Sequence, residues 1–575
     1  MSRYAEQTSQ RKTPQGEQAR PDQRQNNAGG FVFAVSNWSR LDRFLVLGAD
    51  GPTYYVSERQ LVRENAKAVE ACIAEDGLRT VARIVEVSDA GRAPKNDPAI
   101  FALALAASAK DPAVRAAALA ALPKVCRIGT HLLHFANDVR HFRGWGPALR
   151  KAVSRWYTEK TADSLAYDVA KYQQRDSFAQ RDLLRLAHPE SPSRAHAATL
   201  AWSTKGIAKI GDTTKKKGTE ARRGTPALRE ELPALLLAVE EIHSPDTSVA
   251  RACVLIRQHR MPHECVPNEM KSKPEVWAAL LESMGLTAIL RNLGKMSAVG
   301  LLRPMSPESE LVCQRLSDQR ALFKARVHPL AVLIAMRTYA SGHGLRGNST
   351  WNAVPRIVDT LDGTFYSSFE TIEPTGKRIM LALDVSGSMS APMSGAPLSC
   401  REASAAMAMV TARTEKQYMV TAFTSGVRGQ WDVHYGRGNG SSIGGRWGGA
   451  GGLSELTISP RQRLDDIVKT TSALPMGGTD CSLPMIYAYA KNIQVDAFVI
   501  YTDSETWAGE VHPYQALREY RQKFNIPAKL VVVGMESNEF SIADPTDAGM
   551  MDVVGFDSAA PAVLSDFIAA REVQP

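Results

Sequence analysis

Apolar and polar positions follow two different patterns along this chain. From Gly29 to about Glu370, Ala- and Leu-rich segments are separated by short polar breaks, as in residues 102–122 and 228–242. Apolar segments of this length, with few strand signals between them, predict a multi-helix domain. One helix is well marked, because a proline suited to a first helical turn stands at position 147 and an apolar stripe follows it.

The pattern changes after position 376. Short apolar runs of strand length, at 378–383, 418–423, 497–501 and 529–533, alternate with longer helical stretches such as 400–414 and 482–491. Strands that alternate with helices in this way predict an α/β domain with a parallel sheet.

The chain is therefore predicted to be an α plus α/β multidomain protein. At 575 residues it is too long for one hydrophobic core. Residues 1–28 are rich in Gln, Arg, Asn and Pro and nearly lack apolar residues, so we expect a disordered tail. Residues 29–370 form the predicted helical domain, and residues 376–575 form the predicted α/β domain.

Composition excludes some classes of protein. No apolar run approaches the roughly 20 residues of a membrane helix, and the polar N-terminus lacks the apolar core of a secretory signal. The seven cysteines are scattered and contain no CxxC pair, which argues against both a disulfide framework and a cysteine-based zinc site. We expect a cytoplasmic protein without membrane association.

The positive charge is concentrated in the first part. Residues before Gly376 contain 52 Lys and Arg against 39 Asp and Glu, a net charge of +13, whereas the remainder contains 17 against 21, a net charge of −4. A basic helical domain suggests a polyanionic partner, and a soluble protein that is merely basic stays the alternative.

Oxygen-bearing side chains follow two of the predicted strands. Asp384, Ser386 and Ser388 come at the end of one strand, Thr479 follows two glycines, and Asp503 ends another strand. Ligands of an open α/β sheet gather at the carboxyl ends of its strands. Two carboxylates and three hydroxyls suit a hard cation, so we predict a site for Mg²⁺ or another divalent cation.

The same aspartate admits an enzymatic interpretation. A strand-end Asp384 could accept a phosphoryl group, but hydrolases of that type usually carry a second Asp two residues later as a general acid. Ser386 occupies that position. We therefore expect a binding site and no catalytic residue.

The constellation resembles the metal-ion-dependent adhesion site of von Willebrand factor A domains. All five positions carry matching residue types, over a span from Gly376 to the end. The resemblance implies a Rossmann-like domain that holds Mg²⁺ at those five residues. It also leaves room for a function in which the ion takes an acidic residue from a partner protein.

Segments of the first part resemble the TROVE domain of the Ro ribonucleoprotein autoantigen family. They include WGPALRKA at 145–152, RNLGKM at 291–296 and EPTGKR at 373–378. The resemblance implies a ring of paired HEAT-like helices closed by the A domain, as in a bacterial member. It further implies a monomer that binds small noncoding Y RNAs on its outer surface.

The family resemblance also implies that single-stranded ends of misfolded RNA enter the central hole. Hand-over to an exoribonuclease such as polynucleotide phosphorylase would be an extension of this role in RNA quality control. The alternatives are a metal-dependent protein-adhesion module and a metal-dependent phosphoesterase.

Three residues carry over from the family as Y RNA contacts, namely Lys171, Arg175 and His188. Lys171 and Arg175 stand four positions apart, so we expect both charges on one helix face. His188 precedes Pro189 and is expected near a helix end. Further candidates for the basic RNA-binding surface are Arg40, Arg43, Arg140, Arg150 and Lys151.

Overall fold

A computed structural model describes residues 12–48, 63, 66–175, 178–207, 210, 228–344, 348–369, 373–392, 398–425, 431–433, 451–474, 476–535 and 539–569. Within these residues, the helical part of the chain contains α1 Asn37–Leu47, α2 Lys67–Ala90, α3 Asp97–Ala107, α4 Pro112–Val125, α5 Gly129–Phe142, α6 Pro147–Thr158, α7 Ala162–Lys171, α8 Gln180–Ala187, α9 Arg194–Lys205, α10 Ala234–Ile242, α11 Val249–His259, α12 Pro274–Ser283, α13 Leu286–Ala298, α14 Pro307–Leu316, α15 Gln319–Lys324, α16 Pro329–Ala340 and α17 Pro355–Ser367. One short hairpin precedes this series, formed by β1 Gln23–Gln25 with β2 Phe31–Ala34. A second hairpin interrupts it, formed by β3 Gln174–Arg175 with β4 Phe178–Ala179.

The multi-helix prediction is confirmed, with shorter helices than the apolar pattern suggested. The stretch 102–122 is divided between α3 and α4, because Asp111 caps α4 through its side chain and a proline begins the new helix. The helices pack mainly on helices one to three positions away in the series, as α1 does on α2, α3 on α5 and α14 on α17.

The first and last parts of the helical array meet. The backbone of Arg92, just after α2, accepts a hydrogen bond from His328 Nε2 at 3.0 Å. The Arg326 guanidinium donates to the Asp89 backbone oxygen at 2.6 Å and to the Asp89 carboxylate at the same distance. Gly91 lies against the side chain of Arg326. These contacts join the two parts and so close the helical array.

The α/β domain follows, with β5 Arg378–Asp384, α18 Cys400–Thr414, β6 Gln417–Ser425, β7 Trp431–Val433, β8 Gly451–Leu456, α19 Leu464–Ser472, α20 Leu483–Ala490, β9 Ala497–Thr502, α21 Pro513–Phe524, β10 Lys529–Gly534, β11 Phe540–Ser541, β12 Met550–Val554 and α22 Ala560–Ala569. The four predicted strands and two predicted helical stretches are therefore all present.

The seven-stranded sheet has the order β12-β10-β9-β5-β6-β8-β7. The strands from β12 to β6 pair in parallel, and β8 and β7 add an antiparallel edge. Helices cover both faces, since alternate residues of β5 and β9 pack in two separate cores. A sheet buried on both sides explains why its central strands read as continuous apolar runs.

The prediction of a disordered tail is wrong for residues 12–28. Gln15 is fully buried, and β1 joins β2 and β11 in a three-stranded sheet that spans both domains. The polar composition misled the prediction, because this segment is held by hydrogen bonds from Gln and Asn side chains to loops of the α/β domain. Residues 1–11 lie outside the described residues. Among the described residues, no helix combines the length and apolarity that crossing a bilayer requires.

Candidate metal centre and nucleic-acid interface

The first predicted metal ligand lies where β5 ends. Asp384 is the last residue of this strand and is fully buried. Its carboxylate accepts hydrogen bonds from the Ser386 backbone N–H at 2.9 Å and from the Thr502 hydroxyl at 2.7 Å. Because Thr502 ends the neighbouring strand β9, these bonds fix the carboxylate at the carboxyl edge of the sheet.

The two serines connect the two carboxylates. The hydroxyl oxygens of Ser386 and Ser388 lie 3.0 Å apart, and Ser388 in turn hydrogen-bonds the carboxylate of Asp503. The intervening Gly387 donates its backbone N–H to the Gly477 oxygen at 3.1 Å, which links this loop to the loop of Thr479. Four predicted ligands thus form one hydrogen-bonded chain.

Thr479 lies on the third loop of the site. It is buried, and its backbone oxygen accepts hydrogen bonds from the N–H groups of Trp507 and Ala508, both at 3.1 Å. Trp507 and Ala508 belong to the loop that starts with Asp503. The structure therefore holds the three ligand-bearing loops against one another.

Two buried carboxylates share this pocket. Burial, followed by the nearby Asp503 carboxylate, raises the pKa of Asp384 to about 7. Burial likewise raises the pKa of Asp503. Paired acids in a dry environment need a cation to be stable as anions. The donor set of carboxylate and hydroxyl oxygens therefore fits Mg²⁺.

Two residues that the sequence analysis missed support the site. Thr502 could have been found, because it ends an apolar strand directly before Asp503. Arg401 gives no signal inside its helix, yet its buried guanidinium donates to the backbone oxygens of Val385 and Leu474, the latter at 3.0 Å. Arg401 thereby braces the loop that follows Asp384.

Among the candidate RNA contacts, Lys171 has its ammonium group enclosed by two tyrosines and a glutamate. Its ammonium nitrogen lies 5.3 Å from the ring centres of both Tyr167 and Tyr172, 3.3 Å from the Tyr167 hydroxyl and 3.8 Å from a carboxylate oxygen of Glu264. Burial alone would lower the pKa of Lys171, but Tyr172, Tyr167 and Glu264 together raise it. Lys171 is therefore a fixed cation, with its side chain 18% exposed.

The expectation that Lys171 and Arg175 share a helix face is wrong. Helix α7 ends at Lys171, because Tyr172 leaves the helical conformation with φ −114° and ψ 66°. Arg175 lies in β3, where its backbone pairs with Phe178 of β4. The side chain of Arg175 lies outside the described residues.

His188 lies at a helix end, as predicted. It caps α8 in the left-handed conformation, with φ 47°, and its backbone N–H donates to the Leu184 oxygen at 3.0 Å. Its side chain is exposed. An exposed imidazole on a fixed cap can reach a phosphate or a base.

The basic residues of α5 and α6 are also exposed. Arg140, at the end of α5, places its guanidinium 5.9 Å from the ring centre of Phe178. Arg150 and Lys151 stand on consecutive positions in the first half of α6. The structure thus brings Arg140 beside the hairpin that carries Arg175.

Arg40 and Arg43 do not belong to an open basic surface. Arg43 is buried, and its guanidinium donates to the Asp552 carboxylate at 2.6 Å and to the Phe540 oxygen at 3.1 Å. Arg40 forms an ion pair with Glu539. Both arginines therefore attach α1 to the α/β domain. Their prediction as RNA contacts is corrected, because each is paired with an acid across the domain junction.

Comparison with known proteins matches two family models to successive parts of the chain. The family model described as TROVE domain matches residues 24–377, and the one described as Ro60 vWA domain matches residues 378–568. The RNA-binding protein RO60 of Deinococcus radiodurans is 39% identical over 561 residues, which is 96% of this chain and 97% of that protein.

A second relative and a solved structure agree. The RNA-binding protein RO60 of Caenorhabditis elegans is 33% identical over 617 residues, covering 97% of this chain and 92% of that protein. The crystal structure of the Deinococcus radiodurans RO (RSR) protein matches with a TM-score of 0.64 and 36% identity, and the match covers 93% of this chain and 100% of that one.

Proposed function

The chain belongs to the Ro60 family, and from this premise we propose that it is a cytoplasmic, monomeric RNA-binding scaffold without a catalytic step. It holds a Y-like small noncoding RNA on its outer surface and takes single-stranded ends of misfolded RNA in a central hole. An exoribonuclease such as polynucleotide phosphorylase then degrades the delivered RNA. The observation that carries the proposal is the similarity of nearly the whole chain to two RNA-binding RO60 proteins.

The physical basis of RNA binding is electrostatic. The residues before Gly376 carry a net charge of +13, and exposed cations on α5 and α6 can each neutralise a phosphate and release its counterion. Such contacts do not read sequence, so the shape of a folded RNA selects the partner.

Individual residues have separate roles on this surface. Lys171 offers a fixed ammonium group. When RNA binds, a phosphate replaces the carboxylate of Glu264, which lies 3.8 Å away, as the partner of this ammonium. Arg175 extends the surface along the β3–β4 hairpin beside Arg140. His188 adds an exposed ring that hydrogen-bonds or stacks on an unpaired base. Arg150 and Lys151 contact the phosphate backbone.

A metal centre accompanies this function. Asp384, Ser386, Ser388, Thr479 and Asp503 would hold Mg²⁺, which when bound supplies positive charge that grips an acidic group of a partner. Asp384 and Asp503 contribute the charge, and the serine hydroxyls and backbone bonds described above orient them. Ser386 cannot act as a general acid near neutral pH, which supports binding over hydrolysis.

Exposed apolar side chains favour a second candidate function, protein adhesion through the same centre. Met476, next to the Gly477 link, is 55% exposed, and Trp507, whose backbone bonds to Thr479, is 36% exposed. Large exposed apolar groups on ligand-bearing loops suit a protein partner. A protein captured from cell extract with Mg²⁺ and released by EDTA, but not captured by Asp384→Ala, would support this candidate.

The test of RNA binding uses charge reversal. The RNA that co-purifies with the protein from its own cell is sequenced, and the most enriched small RNA is transcribed with a fluorescent label. The double variant Lys171→Glu, Arg175→Glu should weaken its binding by about 30-fold or more. The control Lys469→Glu, Lys491→Glu makes the same change in net charge at exposed residues of the α/β domain and should bind almost normally.

Equal loss of affinity in both double variants would mean that total charge, not this surface, determines binding. Unchanged far-UV circular dichroism shows that the variants are folded. Metal-dependent RNA cleavage that disappears in Asp384→Ala would refute the absence of catalysis.

A further inference from the structure

The segment of residues 12–34, which we call the N-terminal strap, crosses the α/β domain beside the metal centre. Its strand β2 pairs with β11, and its other contacts fall mainly on the loop of residues 503–512. That loop begins with the predicted ligand Asp503. The strap and the loop are almost 500 residues apart in the chain, so the tertiary fold alone brings them together.

Gln15 is the inner anchor of the strap. Its side-chain amide donates to Asp480 Oδ1 and to the Val511 oxygen, both at 2.8 Å, and its carbonyl accepts from the Thr506 hydroxyl. Its backbone N–H donates to the Gly509 oxygen at 2.8 Å. Asp480 directly follows the ligand Thr479, so one buried amide joins two of the three ligand-bearing loops.

A second anchor holds the residues directly after Asp503. The Asn26 amide donates to the backbone oxygens of Ser504, at 3.3 Å, and Thr506, at 2.9 Å. Gly30 lies so close to Thr506 that a Cβ atom built on it would stand 1.8 Å from the Thr506 oxygen. This approach requires glycine and shows how tightly the strap lies on the loop.

The strap also binds the side-chain carboxylate of Glu505 at the surface of the loop. Asn27 donates to one oxygen of the Glu505 carboxylate at 2.6 Å, and the Ala28 backbone N–H donates to the other at 3.1 Å. The Glu505 backbone N–H donates to Asp503 Oδ1 at 3.0 Å. A displacement of Glu505 would therefore move the hydrogen-bond donor that orients the Asp503 carboxylate.

We propose that Gln15, Asn26 and Asn27 are positioning residues of the metal centre. They set the separation between the loop of Thr479 and the loop of Asp503, so that the oxygen ligands converge on a cation only when the strap is docked. This inference rests on the proposed Mg²⁺ site. It assigns the polar N-terminal segment a role in cation affinity, while Asp384, Ser386 and Ser388 are held by the α/β domain itself.

The test measures Mg²⁺ binding to the full chain by isothermal titration calorimetry. Gln15→Met keeps the side-chain length but removes the amide, and it should weaken Mg²⁺ binding by about tenfold or more, the usual effect of losing a residue that orients a metal ligand. The matched control is Gln25→Met. Gln25 is exposed on the same strap, and within the part of the chain that the structure describes its side chain bonds only to the Gly29 oxygen, at 3.0 Å. This control should bind Mg²⁺ like the wild type.

A surface variant keeps the test decisive if Gln15→Met does not fold. Asn27→Asp replaces the exposed amide by a carboxylate that repels Glu505. The added negative charge alone would tighten Mg²⁺ binding, whereas displacement of the loop should weaken it about threefold or more. Weaker binding therefore supports the positioning role, and tighter binding would overturn it.

The outcomes separate the strap from the metal centre. If the wild type binds Mg²⁺, Asp384→Ala does not, and Gln15→Met binds with wild-type affinity, the positioning role is refuted and the metal centre stands. If the wild type itself binds no Mg²⁺, the metal centre fails and the strap proposal fails with it. RNA affinity should be equal in Gln15→Met and the wild type.

Discussion

Protonation of His328 is expected to loosen the junction that closes the helical array. His328 is buried at the start of α16, where its Nδ1 accepts the Leu330 N–H at 3.1 Å and its Nε2 donates to the Arg92 oxygen at 3.0 Å. Both nitrogens are therefore used by the neutral ring. A second proton would place an N–H against the N–H of Leu330.

The size of the effect follows from the pKa. Burial lowers the pKa of His328 from 6.5 to about 4. The open chain binds a proton near pH 6.5 and the closed junction only near pH 4, so the stabilisation is complete above pH 6.5 and is lost as the pH falls. The closed junction should lose about 2 kcal/mol at pH 5 and roughly 3 kcal/mol at still lower pH.

Hydrogen–deuterium exchange measures this local opening without unfolding the whole chain. Amides of residues 89–93 and 326–332, corrected for the intrinsic exchange rate at each pH, should show an opening free energy about 2 kcal/mol smaller at pH 5 than at pH 7. The control His328→Gln keeps an amide donor near Arg92 but does not titrate. Its opening free energy should change little between the two pH values.

His131 has a pKa that burial likewise lowers to about 4, but it is present in both proteins and cancels in the comparison. An equal pH response in the wild type and His328→Gln would show that His328 does not titrate at the junction. An opening free energy that is smaller at pH 7 than at pH 5, after correction for intrinsic exchange, would contradict the sign of the argument.

Three further perturbations test other parts of the structure. Arg43→Ala should destabilise the protein by about 3 kcal/mol or more, as measured by thermal unfolding, because Asp552 is left partly buried without its cation. The same variant should leave RNA affinity unchanged in an RNA titration. Asp384→Asn should abolish the increase in melting temperature that Mg²⁺ gives the wild type and that EDTA removes, as seen by scanning calorimetry. Arg150→Glu should weaken RNA binding about tenfold. It should also reduce the slope of log affinity against log salt concentration by about the amount that one phosphate contact contributes. A salt titration that gives the wild-type slope would count against this assignment.

The architecture could be predicted from sequence because its signals are local. Strands buried on both faces, such as β5, produce continuous apolar runs, and ligands of parallel sheets stand at strand ends, which is why Asp384 and Asp503 were found together. Loop glycines before Thr479 marked the third ligand-bearing loop. None of these inferences requires knowledge of distant partners.

The errors concern long-range pairing. Arg43 reads as a surface cation, and only the fold shows that Asp552 neutralises it across the domain junction. Gln15 reads as part of a polar tail, because composition does not reveal that backbone oxygens of a remote loop will satisfy its amide. The helix end at Lys171 has no strong stop signal, so its spacing from Arg175 suggested a shared face that the structure lacks.

Photo-crosslinking of the full chain to the RNA it carries in its own cell, followed by mass spectrometry of the joined peptides, tests the central claim most directly. Contact of RNA with the basic helical surface predicts crosslinks in α5 to α8, within residues 129–188, and intact RNA in the presence of Mg²⁺. Crosslinks confined to residues beyond 377, or Mg²⁺-dependent shortening of the bound RNA, would contradict it.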